Sequence, residues 1–242
     1  MAQQVLTNTQ IIVGSFDITS FADMISVTET ETTVEQTTFG SGGFRVVAPS
    51  ISDYSIGIEG FSDFAATGTA TAFGNTALGT QYGYMINGSG GTTAGDVSEF
   101  GRGILSSYSP FGGSVGESAR FTHAITPDYE QVNGVLLAPL ASRGAFTGSV
   151  VTTAGPTALQ RVWVALNITA AAGTNLVVTV QSAATVGFTS PTTRFTFSTV
   201  SAVGWQMPAP VAGAITDGFW RVSATVASGT FTWAASMGVK TL

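Results

Sequence analysis

The chain holds no cysteine and one histidine, His123, among 242 residues. Disulfides and thiolate chemistry are excluded by count, and a metal site could use only oxygen ligands. Any triad of the Ser-His-Asp kind would depend on His123 alone, with Arg120 and Glu117 its charged neighbours in sequence. A half-buried structural histidine in a strand is the simpler expectation. Charge is scarce as well: 9% of residues are charged and 44% hydrophobic, against about 25% charged in an ordinary soluble domain. Disorder requires the reverse balance. A folded chain that meets neighbours over wide surfaces is expected instead.

No apolar run approaches the roughly 20 residues that span a bilayer, and Met1-Ala2-Gln3-Gln4-Val5 lacks the basic and apolar regions of a signal peptide. The expectation is a protein made in the cytoplasm, without a membrane partner, that stays soluble until it assembles.

The acids are unevenly spread. Residues 1–142 carry 13 acids against Arg45, Arg102 and Arg120, a net charge of −10, whereas residues 143–242 carry Asp217 against five bases, a net charge of +4. The two parts differ chemically, and scattered bases on an acidic chain argue against tight nucleic-acid binding.

Thr, Val, Phe and Ala dominate, and Gly interrupts every 8 to 12 residues, a pattern that predicts an all-β chain. Tyr54, Ile56 and Ile58 alternate with Ser55, Gly57 and Glu59 as in a half-buried strand. In Val27–Glu35, Glu29, Glu31 and Glu35 share one side of a strand. The Gly-rich stretch Thr37–Ser50 predicts a long loop whose Phe39 and Phe44 need a packing partner. A weak helical signal covers Asn75–Tyr82, with a short strand at Tyr84–Ile86. Ile104–Ser109 and Val115–Ile125 predict a hairpin turning at Pro110–Gly113.

The composition places a domain over 1–142, a linker over 143–157 and a second domain over 158–242. Six strands are expected in the latter: Gln160–Ile168, Leu176–Ser182, Thr193–Thr199, Val203–Met207, Phe219–Val226 and Thr230–Val239. They suggest a β-sandwich. Its core row comprises Val162, Val164, Leu166 and Ile168, completed by Val178, Val180, Phe195, Phe197, Trp220 and Val222. Trp163, beside Arg161 and turned away from that row, is the expected surface contact.

No Ca²⁺ loop of the D-x-D-x-D-G kind occurs, and Gly88–Gly95 lacks the lysine of a phosphate loop. Neither a metal nor a cofactor is expected. Acid pairs for glycoside hydrolysis remain countable, but the acids fall on strand faces. A non-enzymatic, structural role is the expectation.

The run from Ile11 to Phe64 resembles the opening of phage major tail proteins. Asp17-Ile18-Thr19-Ser20-Phe21 resembles that family's "D-[IL]-[ST]-x-F" segment, Thr37-Thr38-Phe39-Gly40 its "T-T-F-G", and Ser55-Ile56-Gly57-Ile58-Glu59-Gly60-Phe61-Ser62-Asp63 its next strand. Phe100–Tyr108, Pro110–Val115 and Gly134–Leu140 continue the likeness in order, and the second half resembles the Thr/Val/Ala-rich sandwich that some of these proteins append.

The resemblance implies a tail-tube-like β-sandwich or barrel with at most one short helix, followed by a C-terminal β-sandwich. It implies a virion tail protein that joins copies of itself into hexameric or pseudo-hexameric rings stacked as a tube, alongside other tail proteins. DNA passes through without specific binding. Thr37, Phe39, Gly40, Phe44 and Arg45 are then expected in an inter-ring contact loop, and Glu29, Glu31 and Glu35 on the lumen wall. A head decoration or fibre protein, or a carbohydrate-binding surface module, is the alternative.

Overall fold

The computed structural model describes residues 8–37, 42, 45, 47–65, 68–73 and 78–241. In chain order the strands are β1 (Gln10–Val13), β2 (Phe16–Asp17), β3 (Ala22–Glu35), β4 (Val47–Phe61), β5 (Gln81–Asn87), β6 (Val97–Gly112), β7 (Arg120–Pro127), β8 (Val132–Arg143), β9 (Phe146–Thr147), β10 (Val151–Thr152), β11 (Gln160–Ala171), β12 (Val177–Ala183), β13 (Thr192–Thr196), β14 (Gly204–Gln206), β15 (Val211–Ala212), β16 (Phe219–Thr225) and β17 (Phe231–Thr241). One short helix, α1, covers Thr69–Ala72, and a 3-10 turn covers Gly88–Gly91. The chain is all-β, as its composition predicts.

Two compact units form, and they are not consecutive in sequence. Unit 1 gathers Met1–Ser20, Gln81–Gly103 and Tyr129–Leu242; unit 2 gathers Phe21–Thr80 and Ile104–Asp128. This differs from a division at 143–157. That stretch carries β9 and β10, both paired with β16, while β8 pairs with β17 almost a hundred residues later. Long-range hydrogen bonding overrides the composition change.

In unit 1, one sheet runs β14-β11-β17-β8-β6-β5-β1-β2 and a second runs β10-β16-β12-β13. The six strands expected beyond residue 158 all form, and every residue of the expected core row is buried between these sheets, joined by Trp233, Phe231 and Met237. Each large aliphatic side chain removed from water here contributes roughly 2 kcal/mol.

The opposite face of β11 is covered too, because the first sheet curls back on itself. The Asn167 side-chain amide donates to the Gly14 carbonyl at 2.8 Å and to the Gly83 carbonyl at 3.4 Å. A Cβ added at Gly83 would lie 2.7 Å from the Trp205 ring, so β5 can reach β14 only with glycine there.

Unit 2 holds β3, β4, β7 and the part of β6 from Ile104, hydrogen-bonded in the order β3-β4-β7-β6 as part of the larger sheet. Ile25 opposes Ile58, Val27 opposes Ile56, and Ile56 and Ile58 oppose Ile125 and His123. Cross-strand partners share a face, so these residues define one covered side. Phe73, just after α1, packs its ring 4.5 Å from that of His123 and 5.9 Å from that of Tyr108.

Two local expectations shift. Strand β6 continues through Pro110–Gly112, so the turn of its hairpin with β7 falls at 113–119. Gln81 and Tyr82, expected at the end of a helix, begin β5, and the described helix lies earlier, at Thr69–Ala72.

Candidate assembly surface

The strand order of unit 2 leaves two outer edges. β3 pairs only with β4 among the described residues. On β6, residues 79–80 close the outer side at Leu105, where the Gly79 amide donates to the Leu105 carbonyl at 3.0 Å and the Leu105 amide to the Thr80 carbonyl at 3.1 Å. Beyond that point, residues 106–112 have β7 on one side and no strand on the other among the described residues. Unpaired ladder groups on such edges are ready to accept another strand, except at Pro110, which has no N–H and whose carbonyl accepts from the Ser62 hydroxyl at 2.7 Å.

The two faces are chemically distinct. Ile56, Ile58, Phe121, His123 and Ile125 are all buried. On the other side lie Ser26, Thr28 and Thr30 from β3, opposing Gly57, Ser55 and Asp53 from β4, with Glu59 next along and Thr122 and Ala124 from β7. This open face is small and hydroxylated over most of its length and carries two carboxylates, Asp53 and Glu59, while Met24, Phe61 and Arg120 occupy one end of it.

The acids expected on the lumen wall fall on the opposite face. Glu29 opposes Tyr54 in the ladder, and the Tyr54 hydroxyl donates to Glu29 Oε1 at 2.7 Å. Glu29 and Glu35 therefore continue the row of Ile25 and Val27. Glu31 lies between them on β3 opposite Ser52, and its side chain is outside the described residues.

Past Ser55, β4 has only β3 for a neighbour among the described residues, so the outer halves of the two strands form a two-stranded arm. At its end Glu35 accepts from the Thr37 hydroxyl at 2.8 Å and sits 3.4 Å from Arg45 Nε. Both charged side chains are exposed, so the pair adds little stability. Thr37 and Arg45 of the expected contact loop thus flank the arm's tip, while Phe39, Gly40 and Phe44 lie outside the described residues.

Trp163 is not a surface contact. It is 2% exposed and packs with Ile12, Met85, Phe100 and Leu136, its ring 5.1 Å from that of Tyr129. The cause is the position of β11, an interior strand with β17 on one side and β14 and β15 on the other, covered on both faces. Trp220 and Trp233 are buried and Trp205 is half-buried, so no tryptophan offers an exposed platform for a sugar.

His123 is 1% exposed and neither ring nitrogen has a hydrogen-bond partner. Burial pushes its pKa down to about 4. It sits neutral among Phe73, Tyr108 and Phe121 with no carboxylate orienting it. Gly112-Gly113-Ser114-Val115-Gly116 has the spacing of a nucleophile elbow. It lies in the β6–β7 turn, where the Ser114 amide donates to Glu117 Oε2 at 3.1 Å and no helix follows. Among the described residues no three His, Asp or Glu side chains converge on a cation-sized space.

No protein-family model matches the chain, and no curated protein matches it. Among solved structures the chain is similar to the tail tube of phage SPP1, in a hybrid solid-state NMR and cryo-EM structure, with 11% identity, 52% of this chain and 76% of that chain covered, and a TM-score of 0.40. It is also similar to the SPP1 Dit protein, described as a paradigm of the hub adsorption apparatus in phages infecting Gram-positive hosts. There the identity is 10%, the coverage 96% of this chain and 99% of that chain, and the TM-score 0.38.

Proposed function

We propose that the chain is a structural, non-enzymatic subunit of a phage tail that polymerises through unit 2 into rings stacked as the tail tube. The observation that carries the proposal is the antiparallel run β3-β4-β7-β6, in which β3, and β6 over 106–112, have a strand on one side only among the described residues. From β3 to β6 the strands alternate in direction, so β3 and β6 run oppositely. A copy rotated about an axis along the strands brings its β3 beside β6 in the antiparallel sense, with covered and open faces kept in register. Such a head-to-tail contact closes into a ring.

Six copies would contribute twenty-four strands. At about 4.8 Å per strand they give a perimeter of about 115 Å and a backbone diameter of about 37 Å, which strand tilt widens further. That bore admits a DNA duplex. The open face is the one suited to line it: Asp53 and Glu59 repel phosphate, and Arg120, at one end of the face, is paired with Asp23 at 2.8 Å, so DNA slides past without tight binding. The order of tail-protein motifs in the sequence supports the same reading. The arm of β3 and β4 then reaches a neighbouring ring.

Sedimentation velocity and negative-stain microscopy of the purified full chain test this. Rings or hollow tubes are expected to build up with concentration; a protein that stays monomeric up to millimolar concentration, or binds only to preformed capsids, contradicts it.

A further inference from the structure

In the second sheet of unit 1, Trp220 and Val222 of β16 and Val178 and Val180 of β12 point into the core, which turns Arg221, Ser223, Thr179 and Gln181 outward. Gln181 stands between Arg221 and Thr193 of β13; one row along, Thr179 stands between Ser223 and Thr196. These two rows hold one cation and no carboxylate. We infer that they form a binding face for an acidic polysaccharide. The Arg221 guanidinium takes the carboxylate or phosphate of that polymer, and the hydroxyl and amide groups beside it take sugar hydroxyls.

The guanidinium supplies the first argument. Its Cζ lies 4.2 Å from the centre of the Phe188 ring, and its Nε donates to Gln181 Oε1 at 3.1 Å. Arg194 is paired with Asp217 and Lys240 with Glu130, but among the described residues no carboxylate pairs with Arg221. The ring and the Gln181 bond fix the group and leave its two terminal amino groups as a fork. That geometry takes an oxyanion with two parallel bonds.

Phe188 supplies the second. It lies in the loop between β12 and β13, is 7% exposed and has a φ of 49°. A bulky residue in the left-handed region is an outlier, and such a conformation persists only where its surroundings enforce it. The turn closes through the Phe188 amide, which donates to the Thr185 carbonyl at 3.2 Å, and it sets the ring against Arg221.

The rest of the face selects the polymer. Nucleic acid needs several cations, and these rows have one. A peptide strand needs free ladder groups, but β16 and β12 are flanked by strands on both sides. Thr193 and Thr196 are exposed, and a strand spacing of about 4.8 Å sets neighbouring side chains apart by about the length of one sugar unit. A chain dense in hydroxyls and sparse in charge matches such a surface.

Calorimetric titration of the full chain with trigalacturonate, a phosphorylated mannan oligosaccharide, neutral maltotriose and inorganic phosphate tests the inference. At least one acidic oligosaccharide is expected to bind at millimolar concentration or below, and maltotriose is expected not to bind; which acidic sugar binds tells carboxylate from phosphate. Arg221→Gln should weaken that binding at least tenfold. Thr193→Glu, at an exposed position in the same row, should do likewise because its carboxylate competes for the guanidinium, whereas Arg161→Gln on β11 should change it less than twofold.

No binding of either acidic oligosaccharide overturns the inference. Equal loss in Arg161→Gln reduces the effect to general charge attraction and overturns it too, as does inorganic phosphate binding as tightly as the sugars. Should Arg221→Gln fail to fold, Thr193→Glu decides: binding retained in that variant overturns the face as described. The inference does not rest on the ring reading, since all its residues belong to unit 1, and assembly of Thr193→Glu measured alongside keeps the two separable.

Discussion

The Tyr54 hydroxyl reaches across the β3–β4 ladder to Glu29, donating to Oε1 at 2.7 Å. With Val27 opposite Ile56 two residues earlier, that contact fixes which side of β3 its acids occupy. Glu29 and Glu35 border the covered face, and Asp53 and Glu59 stand on the open one.

The first prediction concerns that open face. A cysteine at Thr122, exposed at the centre of the open face, should react quickly with both small and polymer-linked maleimides in the monomer. In assembled tubes only the small reagent should keep its rate, with the bulky one slowed at least tenfold. A cysteine at Glu117, in the exposed β6–β7 turn, is the comparison.

Acid should loosen unit 2 through His123. Its pKa falls from the ordinary 6.5 to about 4 on folding, so the folded state binds fewer protons than the unfolded chain. Stability is complete above pH 6.5 and declines as pH falls toward 4, by about 3 kcal/mol at 1.36 kcal/mol per unit. Urea midpoints measured from pH 7 to pH 4 should show the decline, and His123→Leu should flatten it over that window.

In unit 1, Asp217 accepts from the Ser182 hydroxyl at 2.6 Å and from Arg194 at 2.9 Å. These two bonds hold its carboxyl below the usual value, so its contribution is present above about pH 3.8 and is lost as pH falls further. Asp217→Asn should cost about 2 kcal/mol at pH 7, because it leaves Arg194, which is mostly buried, without its charge partner. Thermal unfolding of the variant at pH 7 measures it.

Asn167→Ala removes both amide bonds to the Gly14 and Gly83 carbonyls from a site that is 1% exposed. A loss of about 2 kcal/mol is expected. Faster exchange of the amides of β1 and β5, with β12 and β16 unchanged, would localise the loss to the curl of the first sheet.

Much of this fold is written in local alternation, and the row Val162, Val164, Leu166, Ile168 needs nothing more than period two to be found. Trp163 shows where that logic stops. A strand covered on both faces carries the same alternating row as one covered on a single face, and only the curl of the sheet, made by residues far away, buries the second side. Glu29 and Glu35 show the same limit: period two says that they share a face, and only the register to β4 says which one. The units were hidden because Gly134 pairs with Gly238, a contact without a local signature. The open strand edges, on which the proposed function rests, likewise become visible only when strand order is known.

Cryo-EM of assemblies of the full chain, viewed down their axis, tests the central claim most directly. A continuous antiparallel inner wall built from unit 2, with Asp53 and Glu59 facing the bore and β3 of each copy hydrogen-bonded to β6 of the next, is the predicted result. A wall built from unit 1, or a bore lined by the Glu29 and Glu35 face, would contradict it.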